Sequence, residues 1–166
     1  MSKTIQFSYT WDKKSFLESS YEAYKYEMKH SPKRFLGWIF IAMTQFGVVA
    51  AFKGAPIGLL LVSTLLVGYW YFFRWRLRKS MLSKTFDKNP NLSQTYNVAV
   101  NDRAIDINGS LIDWSDIKEV VSLEKGFLIL SNNSFFFFPK NAFKDIEERN
   151  EFASLAKSKV SNYTKD

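Results

Sequence analysis

The chain contains no cysteine, which removes a disulfide framework and any thiolate-bound metal from consideration. It has one histidine, His30, set in the cationic run Lys29-His30-Ser31-Pro32-Lys33-Arg34. A lone imidazole among positive charges is a poor general base and a worse metal site, so an interfacial position is its expected fate. No phosphate-cradling glycine loop occurs, because Asn108-Gly109 and Lys125-Gly126 are isolated turns. Asp102 and Asp106 lack the spacing of a calcium loop, and Asp113 and Asp116 flank Trp114-Ser115 where turn and capping work is their default use. The amino end, MSKTIQFSYTW, lacks the apolar core and small-residue cleavage site of a signal peptide. These absences predict no catalytic residue, no metal and no cofactor, and they favour an anchoring or binding protein over an enzyme.

Charge is absent where it matters most. Between Phe35 and Phe73 the only charged residue is Lys53, and it separates two apolar runs, 35–52 and 55–73. As helices these runs would be roughly 27 to 29 Å long, close to the ~30 Å hydrocarbon thickness of a bilayer. Lys53-Gly54-Ala55-Pro56 supplies the break, with a permissive residue and a proline suited to the first turn of a new helix. The pattern reads as a transmembrane hairpin. Two helices of a soluble bundle would have to be apolar all round, which a chain of this size has little room to bury.

The flanks orient the hairpin. Lys29, Lys33 and Arg34 precede the first run, and Arg74, Arg76, Arg78 and Lys79 follow the second. Basic flanks are enriched on the cytoplasmic side, so the expected topology is a multi-pass protein of the cell (inner) membrane with both termini cytoplasmic. Trp38, Trp70 and Trp75 fall in the headgroup zone on that side. The expected interface anchors are therefore Arg34, Trp38, Trp70, Arg74, Trp75, Arg76, Arg78 and Lys79. The net charge is +7, yet residues 89–166 hold 9 basic and 11 acidic side chains. The positive excess sits beside the spans, which points to anionic lipid headgroups and not to nucleic acid. Neither span holds Asp, Glu, Arg or His, so a proton relay or ion pathway lacks its usual markers. Gly47 with Ala51, and Gly54 with Gly58, have a small-xxx-small spacing that allows close helix approach, including in a homo-oligomer.

Outside the hairpin the chain alternates between periods. In Thr4–Trp11, Ile5, Phe7, Tyr9 and Trp11 share one face, a half-buried strand that must find a distant partner. Asp12 can cap a helix that runs to about His30 and buries Phe16, Leu17, Tyr21, Tyr24 and Met28. Residues 74–88 continue the second span as a basic helical stalk, ended at Asn89-Pro90-Asn91. The expected division is 1–34, 35–73, 74–88 and 89–166. In the last segment six short strands follow: 94–100, 103–107, 110–114, 117–123, 127–131 and 135–138, with a turn at Asn132-Asn133. Asn108-Gly109 fixes a two-residue hairpin in which Ile107 faces Ser110, Ile105 faces Ile112 and Arg103 faces Trp114. Phe135–Phe138 puts two aromatic rings on each face, so the strand should be covered on both sides. Phe136 and Phe138 are the candidate partner surface. A closing helix capped by Asn141 or Asp145 carries Phe143, Ile146, Phe152, Leu155 and Ala156 on one side and ends near Val160.

Three stretches, Asp113-Trp114-Ser115-Asp116-Ile117, Gly126-Phe127-Leu128-Ile129-Leu130 and Phe138-Pro139-Lys140-Asn141-Ala142-Phe143, resemble the YcxB-like family of small bacterial membrane proteins. The resemblance implies a C-terminal domain similar to a pleckstrin-homology (PH) fold, a seven-strand bent sheet closed by a helix, and carries over no catalytic residue. The expected fold class is thus α+β, a two-helix transmembrane hairpin plus a small PH-like antiparallel sheet or barrel. Six C-terminal strands leave one place open, which Thr4–Trp11 can fill. The turn at Asn101-Asp102-Arg103, read as the first of that fold, lacks the clustered basic residues of a lipid-phosphate site. The expected function is a membrane-anchored interaction module that binds a protein partner at the cytoplasmic face. An immunity-type protein against a bilayer-acting toxin and a small transport or channel subunit are the alternatives.

Overall fold

The computed structural model describes residues 4–132 and 134–166, so Asn133 of the expected Asn132-Asn133 turn and the first three residues of the chain lie outside the described residues. The protein is mixed α+β, with two four-stranded sheets. It divides into two compact units, one formed by Met1–Ala23 with Asn89–Asp166 and the other by Tyr24–Lys88.

In the first unit, β1 (Ile5–Thr10) pairs antiparallel with β2 (Thr95–Val100), followed by β3 (Ala104–Ile107) and β4 (Ser110–Asp113), in the order β1-β2-β3-β4. The second sheet contains β5 (Ile117–Ser122), β6 (Gly126–Ser131), β7 (Phe135–Pro139) and β8 (Tyr163–Lys165), in the order β7-β6-β5-β8. The amino-terminal strand therefore joins the sheet as its alternation requires, with Ile5 and Phe7 buried and Gln6 and Ser8 exposed. The turn at Asn101–Arg103 consequently joins the second and third strands, not the first and second.

The Asn108-Gly109 hairpin forms in the expected register, Ile107 opposite Ser110 and Ile105 opposite Ile112. Both turn residues have positive φ, 52° and 85°, the backbone that a two-residue loop matched to strand twist demands. Arg103 and Trp114 do not extend that ladder. Trp114 opens a 3₁₀ turn, Trp114–Asp116, and its indole Nε1 donates to Asn101 O at 2.9 Å. That turn carries the chain from one sheet to the other. Among the described residues no strand pairing joins the two sheets, so the expected barrel is not closed.

β8 was not expected from the sequence, nor was its parallel pairing with β5, Val120 opposite Tyr163. Helix α5 (Ile146–Lys159, the fifth in chain order) packs Phe152 and Ala156 into the core at 0% exposure, while Ile146, expected on the same side, is exposed. Asp145 caps this helix, its Oδ1 accepting from Glu148 N at 2.7 Å. The core is an aromatic cluster drawn from both sheets and α5. Phe7 lies 5.2 Å from Phe138, 4.4 Å from Phe143 and 6.3 Å from Phe152, and Phe127 lies 4.9 Å from Phe152.

Helix α1 (Lys13–His30) begins at the Asp12 cap, whose Oδ1 accepts from Ser15 N and whose Oδ2 accepts from Ser15 Oγ at 2.6 Å. The Ser15 hydroxyl and amide hold the Asp12 carboxyl below its usual range. The buried positions on α1 are Ser19, Glu22 and Tyr26, whereas Tyr21 is exposed. The expected face is thus rotated, because its small and polar members lie inward and one of its aromatics does not.

In the second unit, α2 (Arg34–Phe52) is followed by α3 (Gly58–Gly68), a π-helical turn at Tyr69–Phe73 and α4 (Arg74–Lys88). Gly54 has φ 80°, and Ala55 N donates to Ala50 O while Gly54 N donates to Ala51 O, a left-handed cap that closes α2. Two helices are long and apolar enough to cross a membrane, Arg34–Phe52 and the continuous Gly58–Lys88, and only 11% and 6% of their apolar windows are buried. They meet through small residues. A Cβ on Gly47 would stand 2.9 Å from Leu60 Cα, and Ser63 is fully buried with its hydroxyl donating to Leu60 O. Of the four small residues expected to mediate approach, Gly54 serves the turn and Gly58 has nothing within 4 Å of its would-be Cβ.

Phe7→Ala should lower the stability of the sheet unit by about 3–5 kcal/mol, read as faster amide exchange across β2 and β6 in the detergent-solubilised full chain. Unchanged exchange would show that β1 is dispensable. In the helical unit, Gly47→Ala should lower the thermal stability in detergent, since its methyl group meets backbone, by about 1–3 kcal/mol. Gly58→Ala should be neutral within about 0.5 kcal/mol.

Candidate functional site

Four of the expected anchors come together in the second unit. The π-helical turn, Tyr-Trp-Tyr-Phe-Phe, replaces one α-turn with an i→i+5 bond from Arg74 N to Tyr69 O. It brings Trp70 and Tyr71 both onto Gly37. A Cβ at Gly37 would lie 2.7 Å from the Tyr71 hydroxyl and 2.8 Å from Trp70 Nε1. Trp70 also meets Phe40 edge-on at 5.7 Å. With its ring fixed on one side, Trp70 offers a face to Arg74 four residues later, whose guanidinium carbon sits 4.2 Å above it.

Arg74 is held further by α1. Its guanidinium carbon is 5.5 Å from the Tyr24 ring centroid, and Nη1 donates to Met28 Sδ at 2.9 Å. Arg78, one turn on, stands 5.3 Å from the same ring centroid, and Trp75 packs against Tyr24 at 5.1 Å. Glu27 sits between the two flanks, with Oε2 accepting from Arg78 Nη1 at 3.4 Å and Oε1 paired with Lys33 Nζ at 3.3 Å. Glu27 and Asp87 are the only carboxylates in residues 24–88, against 11 Lys and Arg. The cluster is therefore cationic in excess, packed on aromatic faces that attract cations through the ring quadrupole.

The other four anchors lie outside it. Arg34 donates from Nη1 to Lys29 O at 3.0 Å and stacks on Phe35 at 4.7 Å. Trp38, Arg76 and Lys79 are exposed. Tyr24, Glu27 and Met28 belong to the site without having been assigned to it. The first and last were read as core stripe, and the signal that singles out Glu27 is its being the one carboxylate between His30 and the buried Glu22. His30 stacks on Tyr26 at 4.1 Å and bonds the Tyr26 carbonyl through Nδ1.

The sheet unit holds a second candidate surface, an aromatic cavity of about 280 Å³ lined by Tyr9, Trp11, Phe16, Tyr96 and Phe135–Phe137, with the hydroxyls of Ser19 and Ser20. β7 alternates as a strand must. Phe136 and Phe138 turn toward the core, where Phe138 is fully buried and Phe136 partly so. Phe137 is covered by Trp11 at 6.3 Å, and Phe135 is 57% exposed. Phe138 is thus not a partner surface; the outward ring is Phe135. Tyr9 stacks on Tyr96 at 5.3 Å, and burial, with Tyr96 beside it, pushes the Tyr9 phenol well above its usual range. It stays protonated across the physiological range and serves the cavity as a hydroxyl, not as a base.

Of the four carboxylates weighed in the sequence, Asp102 and Asp106 do structural work, while Asp113 makes no capping bond at the turn it precedes. Asp106 Oδ1 accepts from Gly109 N at 2.7 Å, and Asp102 pairs with Lys159 at 3.3 Å. Glu18 pairs with Lys125 at 2.6 Å, which holds the Glu18 carboxyl below its usual range and the Lys125 ammonium above its own. Both members are well exposed, so the pair fixes position more than it stabilises. Among the described residues no group of three or more His, Asp and Glu could hold a metal ion.

In a comparison with known families, the model for YcxB-like protein matches residues 104–156. This segment is similar to that family. All three stretches that carried the resemblance fall inside it. The matched segment runs from β3 into α5 and covers about a third of the chain, so of the aromatic cavity only Phe135–Phe137 belong to it. Both long apolar helices and the Arg74 cluster lie outside the matched segment. No curated protein and no solved structure matches the chain.

Phe138→Ala should cost about 3–5 kcal/mol, whereas Phe135→Ala should stay within about 0.5 kcal/mol of the parent. Thermal unfolding of the two variants under one detergent condition checks the assignment. The opposite order would reverse which face of β7 is the core.

Proposed function

We propose that the chain is a membrane-anchored module that displays a PH-like sheet domain at the cytoplasmic face and binds a protein partner there through the aromatic cavity edged by Phe135 and Phe136. The observation that carries this reading is the exposure of the two long apolar helices. A helix in a soluble core would be mostly buried, and these bury 11% and 6% of their apolar windows. Side chains such as Phe46, Phe52, Leu65 and Phe72, at 71%, 88%, 73% and 70% exposure, are compatible with lipid and costly in water.

The sheet order supports the topology. β1 and β2 are neighbours in one sheet, so residues 10 and 95 lie on the same side of any bilayer that the intervening chain crosses. The number of crossings between them must then be even, as two spans provide. The basic flanks favour the cytoplasm for that side. A four-stranded sheet β1–β4, a second sheet that begins β5-β6-β7, and a closing helix α5 fit the PH-like arrangement, with β1 as the strand the C-terminal segment lacks and β8 as an addition to it.

The chain should pellet with membranes in a detergent-free high-speed spin and resist a carbonate wash. A tag at Asp166 should resist external protease in intact cells. Recovery in the supernatant would defeat the anchoring, and cleavage from outside would defeat the orientation. A photo-crosslinking residue in place of Phe135 should capture a protein that the same residue in place of Leu111, exposed at 71% on β4, does not. Equal capture would remove the cavity from the reading.

A further inference from the structure

Resting on the membrane reading above, we infer that Arg74, Arg78 and Tyr24 form a discrete site for the phosphate group of an anionic lipid headgroup, distinct from the diffuse attraction of the basic flanks. The argument turns on what Arg74 lacks. The residue is half-buried, and its guanidinium lies on the faces of Trp70 and Tyr24 and donates one bond, to the thioether sulfur of Met28. Among the described residues no carboxylate pairs with it. A guanidinium has five N–H donors in a fixed fork, and among the described residues no oxygen acceptor bonds to that fork. Burying a charge without a counterion is expensive, and the fold nonetheless fixes this one from three sides.

Arg78 sharpens the deficit. Its guanidinium lies against the same Tyr24 ring, so two like charges converge on one side chain. The nearby carboxylate, Glu27, reaches Arg78 at a long 3.4 Å and is shared with Lys33. One arginine and a lysine thus divide one glutamate, and Arg74 has no share in it. An oxyanion that accepts two bonds from one guanidinium and one from the next satisfies this arrangement, and two oxygens of a tetrahedral phosphate match the planar fork bidentately. Trp70 and the apolar helix below it set the anion at a depth where an acyl chain can follow its headgroup.

The full chain in mild detergent, mixed with phosphatidylglycerol and with phosphatidylcholine, tests this by mass spectrometry of the intact complexes. Phosphatidylglycerol should be retained in preference to phosphatidylcholine, and Arg74→Gln should lower its retention by about tenfold or more, the loss of a charge-assisted bond. Arg74→Lys keeps the charge and loses the fork, so it should also weaken retention, whereas Arg76→Lys should leave it within about twofold. Wild-type retention by Arg74→Lys, or equal losses in Arg74→Gln and Arg76→Gln, would reduce the site to diffuse surface charge and overturn the inference. Displacement of the lipid by millimolar inorganic phosphate would assign the site to a soluble anion and overturn the lipid. A parent chain that pellets with membranes yet retains both lipids alike defeats this inference and leaves the anchoring standing; one that does not pellet defeats both.

Discussion

Ile5–Thr10 hydrogen-bonds along its length to Thr95–Val100, and the connection between these strands holds both long apolar helices found among the described residues. Thr10 and Thr95, 85 residues apart in sequence, share a hydroxyl contact at 3.0 Å. Closing a connection this long costs only about 0.6 kcal/mol more for each doubling of its length, so the ladder and its side chains can outweigh it. Phe7 supplies much of that weight, since it reaches Phe138, Phe143 and Phe152 across the core. Tyr9 stacked on Tyr96 adds a cross-strand pair at the open end. The pairing therefore makes the apolar excursion an insertion between two neighbouring strands of one sheet.

Once β1 is in place, the remaining question for the sheets is which edges stay open. β8 covers β5 in parallel, a contact that Val160 at the end of α5 sets up by returning the chain to the core. The outer strands are β1 and β4 in one sheet and β7 and β8 in the other. Of these, β4 and β7 are protected unequally. β4 ends at an exposed Asp113, a charge of the kind that discourages edge pairing, while β7 carries four uncharged aromatic residues before Pro139. The cavity beside β7 is bounded by Trp11 and Phe16, which meet at 6.3 Å, so the less protected edge is also the one with a concave aromatic neighbour. That coincidence is why the proposed partner is assigned to this side and not to the exposed Leu111.

How much of this was legible follows from which interactions are local. The Asn108-Gly109 turn is dictated by two residues and came out in register. The Asp12 and Asp145 caps depend on three or four residues and also formed as read. Alternation showed which residues of β1 and β7 share a face, but not which face of β7 meets the core. For β1 the apolar set decided it, since Ile5 and Phe7 oppose Gln6 and Ser8. For β7 all four positions are Phe, so parity carried no information and Phe135 was overlooked in favour of Phe138. The buried face of α1 was misread for a related reason. Ser19 and Glu22 are inward, and no periodicity of apolar residues can point to a serine and a glutamate. β8 was too short and too polar to register, and the π-helical turn has no sequence signature beyond bulk.

The Arg74 cluster shows the same division between composition and contact. The excess of cations beside the spans is a property of composition, and it reads from the chain as a general attraction to an anionic surface. What composition does not reveal is that the cations are unequally provided for. Glu27 is divided between Lys33 and Arg78, each on a different flank of the hairpin, so its charge bridges the two flanks and leaves little for a third partner. Arg74 is stabilised instead by ring faces and a sulfur, which hold a cation without neutralising it. Aromatic faces let a guanidinium lose part of its water while its charge persists, because the quadrupole attracts the cation and offers it no counterion. A residue kept charged, oriented and unneutralised beside an apolar helix is prepared for an anion that comes from outside the chain. The π-helical turn contributes by fixing Trp70 between Gly37 and Arg74, so the position of the charge is set by packing within the helical hairpin and not by the mobility of a surface side chain.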